Sequence, residues 1–239
     1  MYQNVIVERD SSQVYFSLNI ENIDRLFPGF SLGDFVVLTG SSHVQSLLAR
    51  LCVKAQLPYQ LGGLETNVLF VDGGNSFKLY EVSTIAQKWK LDPTQVLERI
   101  FVSRAFTAYQ LSSLVLDQLE PVIKQFKSKF VIVSNLAQLF LNRDIPKKEA
   151  QVIFSHLIAY LSIFPKKHQV ILIATQTPSF SSKHNIFFKE SLCERATVVV
   201  SIRKLNQRPH FFLEKHPVFS RGKAEFPSDN SNLIDFMEA

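Results

Sequence analysis

Residues 35–46, FVVLTGSSHVQS, join a short apolar run to the beginning of a helical pattern. The run from Phe35 to Leu38 has the length of one strand, and residues 45–56 carry leucine, cysteine and alanine at helical spacing. A strand, a turn that contains glycine and a helix amino terminus form the usual binding place for a phosphate group, because backbone N–H groups and the helix dipole point toward the anion. The stretch therefore predicts a β–turn–α unit near the start of the fold.

Further apolar runs of strand length follow, and helical patterns alternate with them. The predicted strands lie at residues 68–71, 130–133, 170–174 and 197–202. The predicted helices lie at residues 79–89, 108–127 and 148–164, and Pro121 is expected to kink or divide the second of them. Continuous Val, Ile and Leu runs are typical of strands covered on both faces. The alternation therefore predicts an α/β fold with a mostly parallel, twisted sheet flanked by helices.

The carboxyl-terminal part of the chain has a different pattern. Residues 211–215 are predicted to form an antiparallel edge strand beside the strand at Val198, and residues 178–191 form a polar stretch that predicts a functional or mobile loop. The tail from Pro227 is polar. We expect a single domain over residues 1–239, with a lead-in at 1–17, a core at 18–226 and a polar tail at 227–239.

Composition excludes several classes of protein. The net charge of +5 and the pI of about 9.2 permit binding to nucleic acid without establishing it. Cys52 and Cys193 lie far apart, so neither a zinc site nor a disulfide framework is expected. No signal peptide, membrane-spanning run or metal-ligand spacing is apparent, and we expect a soluble intracellular protein.

The phosphate-loop pattern G-x-x-x-x-G-K-[S/T] is incomplete in the opening stretch. Gly40 fits its first position, but Gln45, Ser46 and Leu47 stand where the second glycine, the lysine and the hydroxyl residue are required. The lysine neutralises phosphate charge and the hydroxyl binds Mg²⁺. An atypical nucleotide pocket is one interpretation. We favour the other, a strand–turn–helix packing unit in which His43 is a polar turn residue.

Two longer stretches resemble a known family. Residues 91–107, LDPTQVLERIFVSRAFT, are similar to the segment after the second core strand of RadA-type recombinases, where D-P-x-x-V-L-x-x-I leads to an A-R-A-F/Y strand end. Residues 18–34 resemble the family's approach to the phosphate loop, and residues 201–204 and 216–226 resemble its last strands. The resemblance covers roughly residues 16–228 and implies a RecA-like core.

The departures from the family pattern bear on activity. The register of the family places His43, Val44 and Gln45 at its Gly-Lys-Thr, Gly74 at its water-activating Glu and Ser134 at its Mg²⁺-holding Asp. The resemblance thus implies a vestigial nucleotide site formed by Gly40, Ser41, Ser42, His43, Gln45, Ser46, Asp72 and Ser134. Asp72 itself could be a capping or turn-forming residue. We therefore expect no catalytic residue, no metal and a pseudo-ATPase, for which ATP and Mg²⁺ are possible but not expected cofactors.

The family holds single-stranded DNA on two loops, which gives two candidate groups here, and the last hairpin adds a third basic group. The second loop corresponds to residues 178–191, with Lys183, His184 and Lys189 among Phe180, Phe187 and Phe188; basic residues interleaved with aromatic residues suit single strands. A mobile loop whose Phe residues pack onto the domain is the alternative. Arg143, Lys147 and Lys148 occupy the first loop, or a solvated helix start. Arg203, Lys204 and Arg208 lie at the tip of the last hairpin, where a solvated turn is the default interpretation, and residues 166–168 are predicted to form a loop between a helix and a strand.

These observations favour a non-catalytic recombinase paralogue in homologous recombination and DNA repair. Its expected partners are single-stranded DNA and a recombinase or sister paralogue, in a homo- or hetero-oligomer without a membrane. The cytoplasm of an archaeon is the expected location, or the nucleus if the cell is eukaryotic. Two alternatives stay open: an atypical ATPase whose site a partner completes, and a KaiC-like regulatory scaffold without a DNA role.

Overall fold

A computed structural model describes residues 15–40, 43–142, 144–176 and 183–226. Eight strands form one sheet in the order β3-β2-β4-β5-β1-β6-β7-β8. The strands are β1 Phe35–Gly40, β2 Val68–Asp72, β3 Ile100–Arg104, β4 Phe130–Ser134, β5 Ile171–Gln176, β6 Val198–Leu205, β7 Arg208–Lys215 and β8 Gly222–Glu225. The first six run parallel, whereas β7 and β8 are antiparallel additions. The predicted α/β class, mostly parallel sheet and antiparallel carboxyl-terminal hairpin are confirmed.

Helices cover both faces of the sheet. They are α1 Glu21–Leu26, α2 His43–Lys54, α3 Leu79–Lys88, α4 Pro93–Glu98, α5 Ala108–Ser113, α6 Leu119–Phe126, α7 Lys147–His168 and α8 Lys183–Arg195. Successive strand residues alternate between two apolar cores: Val36 and Leu38 pack with α1 to α4, whereas Phe35 and Val37 pack with α5 to α8. Because both faces are covered, the central strands are apolar without interruption. Among the described residues no helix has the length and apolar character needed to cross a membrane.

The carboxyl-terminal hairpin differs from the prediction in one respect. The predicted edge strand at residues 211–215 does pair antiparallel with β6, and it begins earlier, at Arg208. It is not at the edge of the sheet, because β8 pairs with its outer side. β8 has only four residues, and its Lys223 and Glu225 interrupt any apolar run, so hydrophobic periodicity gave no signal for it.

The helical stretch at residues 108–127 is divided before Pro121 rather than at it. A π-helical segment, Leu114–Gln118, lies between α5 and α6. Pro121 has no N–H to donate to the carbonyl group four residues earlier, and its ring crowds that carbonyl. Widening of the preceding turn relieves this conflict, which explains why the chain continues as a helix to Phe126.

Two loop predictions are wrong. Residues 183–191 of the predicted polar loop belong to α8, where Phe188 and Leu192 are fully buried against the core formed with α7. The many polar residues of this segment hid its single apolar side. Residues 166–168 form the last turn of α7, which continues through Pro165 and ends at Gln169 in the left-handed region, with the Gln169 N–H donating to the Pro165 carbonyl.

Residues 16–20 precede α1, and Lys54 attaches this segment to the domain. Of the predicted lead-in, which ended at residue 17, they include the last two residues, and the name lead-in segment is used below for residues 16–20. Phe16 exchanges two backbone hydrogen bonds with Phe30. The Lys54 Nζ, buried at the end of α2, donates to the Ser17 carbonyl at 2.7 Å, to Ser17 Oγ at 2.9 Å and to Asn19 Oδ1 at 2.7 Å. Burial lowers the pKa of Lys54 to about 8. All three N–H bonds of the ammonium group are therefore used to hold this segment.

Candidate nucleotide and nucleic-acid sites

The residues of the proposed vestigial nucleotide site share one edge of the sheet. β1, β2 and β4 run parallel and end at Gly40, Asp72 and Ser134, so their carboxyl ends meet at this edge. Asp72 and Ser134 are direct neighbours in the β2–β4 register, whereas two strands separate β1 from β2. Ser41 and Ser42 lie outside the described residues. The fold thus brings Asp72 and Ser134 into contact and places Gly40 further along the same edge.

Asp72 is fully buried, and both oxygens of its carboxylate accept hydrogen bonds. Oδ1 accepts from the Ser76 N–H at 2.9 Å, from Ser76 Oγ at 3.1 Å and from Ser134 Oγ at 2.8 Å. Oδ2 accepts from the N–H groups of Ser76 at 3.0 Å and Phe77 at 3.1 Å. A longer bond from the Gly74 N–H, at 3.3 Å, completes the set on Oδ1. The protein's own donors therefore surround this carboxylate.

The local sequence explains why the loop after β2 folds around Asp72. An aspartate at a strand end readily accepts from backbone N–H groups a few residues later, and the two glycines that follow allow a tight turn. Burial raises the pKa of Asp72, but the N–H groups of Ser76 and Phe77 and the hydroxyl of Ser134 outweigh it, so the pKa lies below the ordinary value. Asp72 is thus an ionised, hydrogen-bonded turn residue, the alternative that the sequence had left open.

Ser76 and Arg104 belong to this cluster, although the sequence pattern did not indicate them. Ser76 Oγ contacts both Asp72 Oδ1 and, at 2.8 Å, Ser134 Oγ. The half-exposed Arg104 Nε lies 3.7 Å from Asp72 Oδ2. The Asp-Gly-Gly-Asn-Ser spacing was the available signal for Ser76, since a serine four residues after an aspartate suits a side-chain-capped turn. Arg104 required the register that places it beside Asp72.

Gly40 has a structural role in the sheet. Its φ of 144° lies outside the range that other residues favour, and a Cβ atom there would collide with the backbone carbonyl of Ile202 on β6. Gly40 and Ile202 are paired in the β1–β6 register. Close approach of two strands therefore accounts for this glycine, whether or not a phosphate group binds beside it.

The remaining predicted residues of the phosphate turn lie in the first turn of α2. The His43 ring is 6.4 Å from the ring of Phe226 in an edge-on arrangement. Gln45 lines a cleft of about 200 Å³ between α2, β2 and the start of α3, together with Ser76, Lys78 and Cys52. Ser46 is half-buried. Its enclosed space, about 10 Å³, holds roughly one water molecule, so the cleft does not enclose a nucleotide.

The second predicted DNA loop is partly a packed helix. Phe188 is fully buried, and its ring lies 4.7 Å edge-on from Phe154 of α7. Phe187 is partly buried and packs 5.4 Å from Phe188, whereas Lys189 is exposed. Lys183 and His184 begin α8, and their side chains lie outside the described part, as does Phe180. For Phe187 and Phe188, packing onto the domain is the interpretation that the structure supports.

The other two candidate groups contain exposed lysines and, at the hairpin, two arginines that form ion pairs. Lys147 and Lys148 form the first turn of α7, and Arg143 lies outside the described residues. At the hairpin, Arg203 contacts Glu214 at 2.8 Å and lies 4.1 Å over the Phe212 ring, and Arg208 contacts Glu225 at 3.2 Å. Both arginines are therefore paired with carboxylates. Lys204 is exposed, and the described part of the chain supplies no ion pair for it.

These groups also face the carboxyl edge of the sheet. β6 runs parallel with β1, and Gly40, the last residue of β1, pairs with Ile202. Residues 203–205 therefore project beyond the end of β1, at the same edge of the sheet from which the chain leaves β4 toward α7.

A family model described as Rad51 matches residues 32–183, more than half of the 239 residues.

The chain belongs to the Rad51 family.

This membership confirms the resemblance to RecA/RadA-type recombinases. In the Rad51-family chain the matched region runs from just before β1 to the beginning of α8, so it contains the whole parallel sheet except β6. Asp72 and Ser134 lie inside the match. The hairpin with Arg203, Lys204 and Arg208 lies beyond it, as does the lead-in that Lys54 holds.

Proposed function

We propose that this Rad51-family chain is a non-catalytic recombinase paralogue that acts as an accessory in homologous recombination and DNA repair. It binds single-stranded DNA, a RadA-type recombinase or both. The observation that carries the non-catalytic part is the saturated carboxylate of Asp72, which accepts from Ser76, Phe77, Ser134 and Gly74. A carboxylate committed to its own loop has no lone pair directed at a metal ion.

The residues at the carboxyl edge do not fit Mg²⁺ and a nucleotide triphosphate. Mg²⁺ requires oxygen ligands at about 2.0–2.1 Å in octahedral geometry. Asp72 could supply one only by giving up donors that stabilise its loop, and Ser134 donates its hydroxyl hydrogen to Asp72. Gly74, at the family's glutamate position, has the side chains of Asn135 and Gln138 where a Cβ atom would stand. We therefore assign no catalytic residue, no metal and no ATP-dependent step to this chain.

Electrostatics of the carboxyl edge support binding to single-stranded DNA. Lys147 and Lys148 lie at the amino terminus of α7, where the positive end of the helix dipole adds to their charge. The helix dipole disfavours positive side chains in the first turn of a helix. An anionic partner such as a phosphate backbone would offset this repulsion. Lys204 extends the positive surface along the projecting hairpin.

The edge of the sheet at β3 supports a protein partner. β3 pairs only with β2 among the described strands, and Val102 is exposed on it. Phe106, just after β3, is 71% exposed, and Tyr109 is 50% exposed. An open edge strand presents N–H and C=O groups for another chain, and exposed aromatic rings beside it add apolar area. A recombinase or sister paralogue is the partner that we assign to this edge.

Fluorescence anisotropy of a labelled single-stranded oligonucleotide tests the DNA part, over a salt series with and without Mg-ATP. We expect salt-sensitive binding that Mg-ATP does not change, because phosphate contacts release counterions. The triple variant Lys147→Gln/Lys148→Gln/Lys204→Gln should weaken binding about tenfold and lower the magnitude of the slope of log K against log salt by about two, since each contact to a single strand contributes about 0.7.

The alternatives predict other outcomes of the same titration. Binding that requires Mg-ATP, together with phosphate release above background, would establish an atypical ATPase. Failure to bind the oligonucleotide at modest salt, with stable binding to a recombinase, would favour a protein-only scaffold. A triple variant Lys129→Gln/Lys166→Gln/Lys167→Gln serves as the charge-matched control, since it removes the same charge from the opposite edge of the sheet.

A further inference from the structure

The backbone of β3 divides its hydrogen-bonding groups between β2 and the open edge of the sheet. The Ala105 N–H donates to the Asp72 carbonyl at 3.1 Å, and the Arg99 carbonyl also accepts from β2, so the odd-numbered residues bond to β2. Successive residues of a strand direct their N–H and C=O groups to opposite sides. Val102 and Arg104 therefore direct theirs away from β2, to a side where no described strand pairs with β3.

Val102 and Arg104 also place their side chains on one face of the sheet. Side chains alternate along a strand, so both lie on the face of Ile100, which belongs to the core packed with α1 to α4. Val102 is 36% exposed, and the Arg104 side chain is 47% exposed. A strand that paired with β3 would place side chains about 4.5–5.5 Å from these two. Arg104 therefore faces any strand that is added at this edge.

The guanidinium group of Arg104 has no hydrogen-bond acceptor in the described part of the chain. Its ion pair there is with Asp72, and the distance from Arg104 Nε to Asp72 Oδ2, 3.7 Å, exceeds that of a hydrogen bond. The two Asp72 oxygens already accept from Ser76, Phe77 and Ser134. The terminal nitrogens of Arg104 form a planar fork that matches a carboxylate, and this fork is open to a group from another chain.

An added strand would remove part of the water around the Arg104 guanidinium group. A positive charge that loses water without gaining an acceptor is costly. An Asp or Glu opposite Arg104 would accept from both terminal nitrogens, in the bidentate geometry that gives strong hydrogen bonds. A lysine there would add repulsion, and an apolar side chain would leave the charge unpaired. Arg104 therefore discriminates between partner strands by their charge.

We propose that Arg104 selects, at the β3 edge, a partner strand that carries an Asp or Glu residue opposite it. This inference rests on the proposed function, in which a recombinase or sister paralogue binds this edge, and it adds the chemistry by which that partner is recognised. Backbone hydrogen bonds to Val102 and Arg104 hold the strand. A shift of one residue turns the carboxylate to the other face of the sheet, so the ion pair also fixes the register.

The affinity of the full chain for a purified RadA-type recombinase, measured by biolayer interferometry, tests the selection. Arg104→Gln should weaken binding about tenfold, because a charge-assisted bidentate pair is lost. Arg104→Lys should weaken it less, since the charge stays and the fork is lost. Arg25→Gln is the matched control and should bind as the parent does: it removes an exposed arginine of α1, which packs beside β8 at the other end of the sheet.

A charge exchange tests the direct contact. Arg104→Glu should bind far more weakly than Arg104→Gln, because two carboxylates then face each other. Each exposed Asp and Glu of the recombinase is replaced by Lys in turn, and one of these variants should bind Arg104→Glu better than it binds the parent chain. This result stands even if Arg104→Glu loses some stability, since only a direct pair is restored by a change in the partner.

Val102→Pro tests the addition of a strand separately from the charge. It removes an N–H that points away from β2, and proline is tolerated at such positions of edge strands. We expect the fold to persist, as judged by circular dichroism, and binding of the recombinase to fall about tenfold with the loss of a backbone bond and the clash of the ring.

Each contrary outcome has a defined meaning. Parent-like affinity of Arg104→Gln, or the absence of any restoring Lys variant, would overturn the selection by Arg104 and leave the proposed partner in place. Parent-like affinity of Val102→Pro would overturn strand addition at β3. Failure of the parent chain itself to bind the recombinase would count against the protein-binding part of the proposed function, and the selection would fall with it.

Discussion

At the scale of single residues, Asp72 shows how a carboxylate at a strand end can be used for structure. Six hydrogen bonds reach its two oxygens from the backbone and side chains around it. The sequence identified the position of Asp72 correctly, because the apolar run of β2 ends there. It could not determine what the carboxylate contacts, since Ser76 and Ser134 come close to Asp72 only when the loop and β4 are folded.

Asp72→Asn should destabilise the fold by about 2 kcal/mol. The amide replaces one accepting oxygen with an NH₂ group, which then faces the N–H donors of the loop and leaves them unsatisfied in a buried place. Chemical unfolding at neutral pH measures the change. Asp92→Asn is the control, because Asp92 is an exposed helix cap that accepts from the Thr94 N–H, and asparagine caps helices equally well. Equal stability of the parent chain and Asp72→Asn would contradict the structural role.

His216 makes the stability of the folded protein depend on pH. Its Nδ1 accepts from the N–H groups of Val218 and Phe219, both at 3.0 Å, and its ring lies 4.7 Å from Phe219. Burial lowers the pKa of His216 to about 4 from 6.5. The neutral form is therefore favoured in the folded state, and its contribution is complete above pH 6.5 and is lost as the pH falls toward 4.

We expect this contribution to be about 1 kcal/mol, since solvent screens a half-buried group. Unfolding midpoints between pH 4 and 6.5 measure it. His216→Asn keeps an acceptor near the two N–H groups without a titrating ring, so its profile should be flatter than that of the parent. His156→Asn, on the exposed side of α7, should keep the full slope. The lowered pKa of His168, also caused by burial, adds slope that both variants retain.

At the scale of elements, the strands whose two faces are buried were predicted from the sequence more accurately than the helix α8, which has few buried residues. The strands at Phe35, Val68 and Phe130 were predicted because helices cover both of their faces, which requires continuous apolar runs. α8 was missed because, among its residues whose side chains are described (185–195), only Phe188 and Leu192 are fully buried, within a stretch rich in polar side chains. The candidate site was predicted less well than the strands, since its hydrogen bonds depend on tertiary contacts rather than on periodicity.

The lead-in segment provides a prediction at this scale. Lys54→Met should loosen residues 16–20, because methionine fills the space of the lysine stem but leaves the Ser17 carbonyl without its donor and removes the bonds of the ammonium group to Ser17 Oγ and Asn19 Oδ1. Loss of these bonds costs about 2 kcal/mol. Hydrogen exchange should quicken at the amides of residues 16, 18 and 20, which are hydrogen-bonded in the parent chain.

The control for this experiment is Lys88→Met, which replaces an exposed lysine at the end of α3. It should leave exchange of the lead-in amides unchanged. Uniform acceleration of exchange in β1 and β4 as well as in the lead-in would show global destabilisation instead of a local attachment. Unchanged exchange in Lys54→Met would show that the contacts between Phe16 and Phe30 hold the segment without the lysine.

At the scale of the whole molecule, the arrangement of charge is organised by the parallel sheet. Strands that run in one direction collect the turns after each strand at one edge and the helix ends at the other, so Lys147, Lys148 and Lys204 come to the carboxyl edge. No hydrophobic pattern could predict the strand order that places β1 between β5 and β6, because that order depends on pairing across distant parts of the chain. The family resemblance supplied the fold where periodicity could not.

The two outer strands of the described sheet are unequal, and this has a consequence for assembly. β3 offers an open edge with exposed apolar groups, whereas β8 is four residues long and carries Lys223 and Glu225. Short charged edges resist pairing with another strand. In the language of polymer chemistry, a unit with one reactive end is monofunctional: it joins a growing chain once and then stops growth. If β3 binds a recombinase as we propose, a chain of this shape would end a recombinase polymer, and small amounts of it would set the length of the polymer.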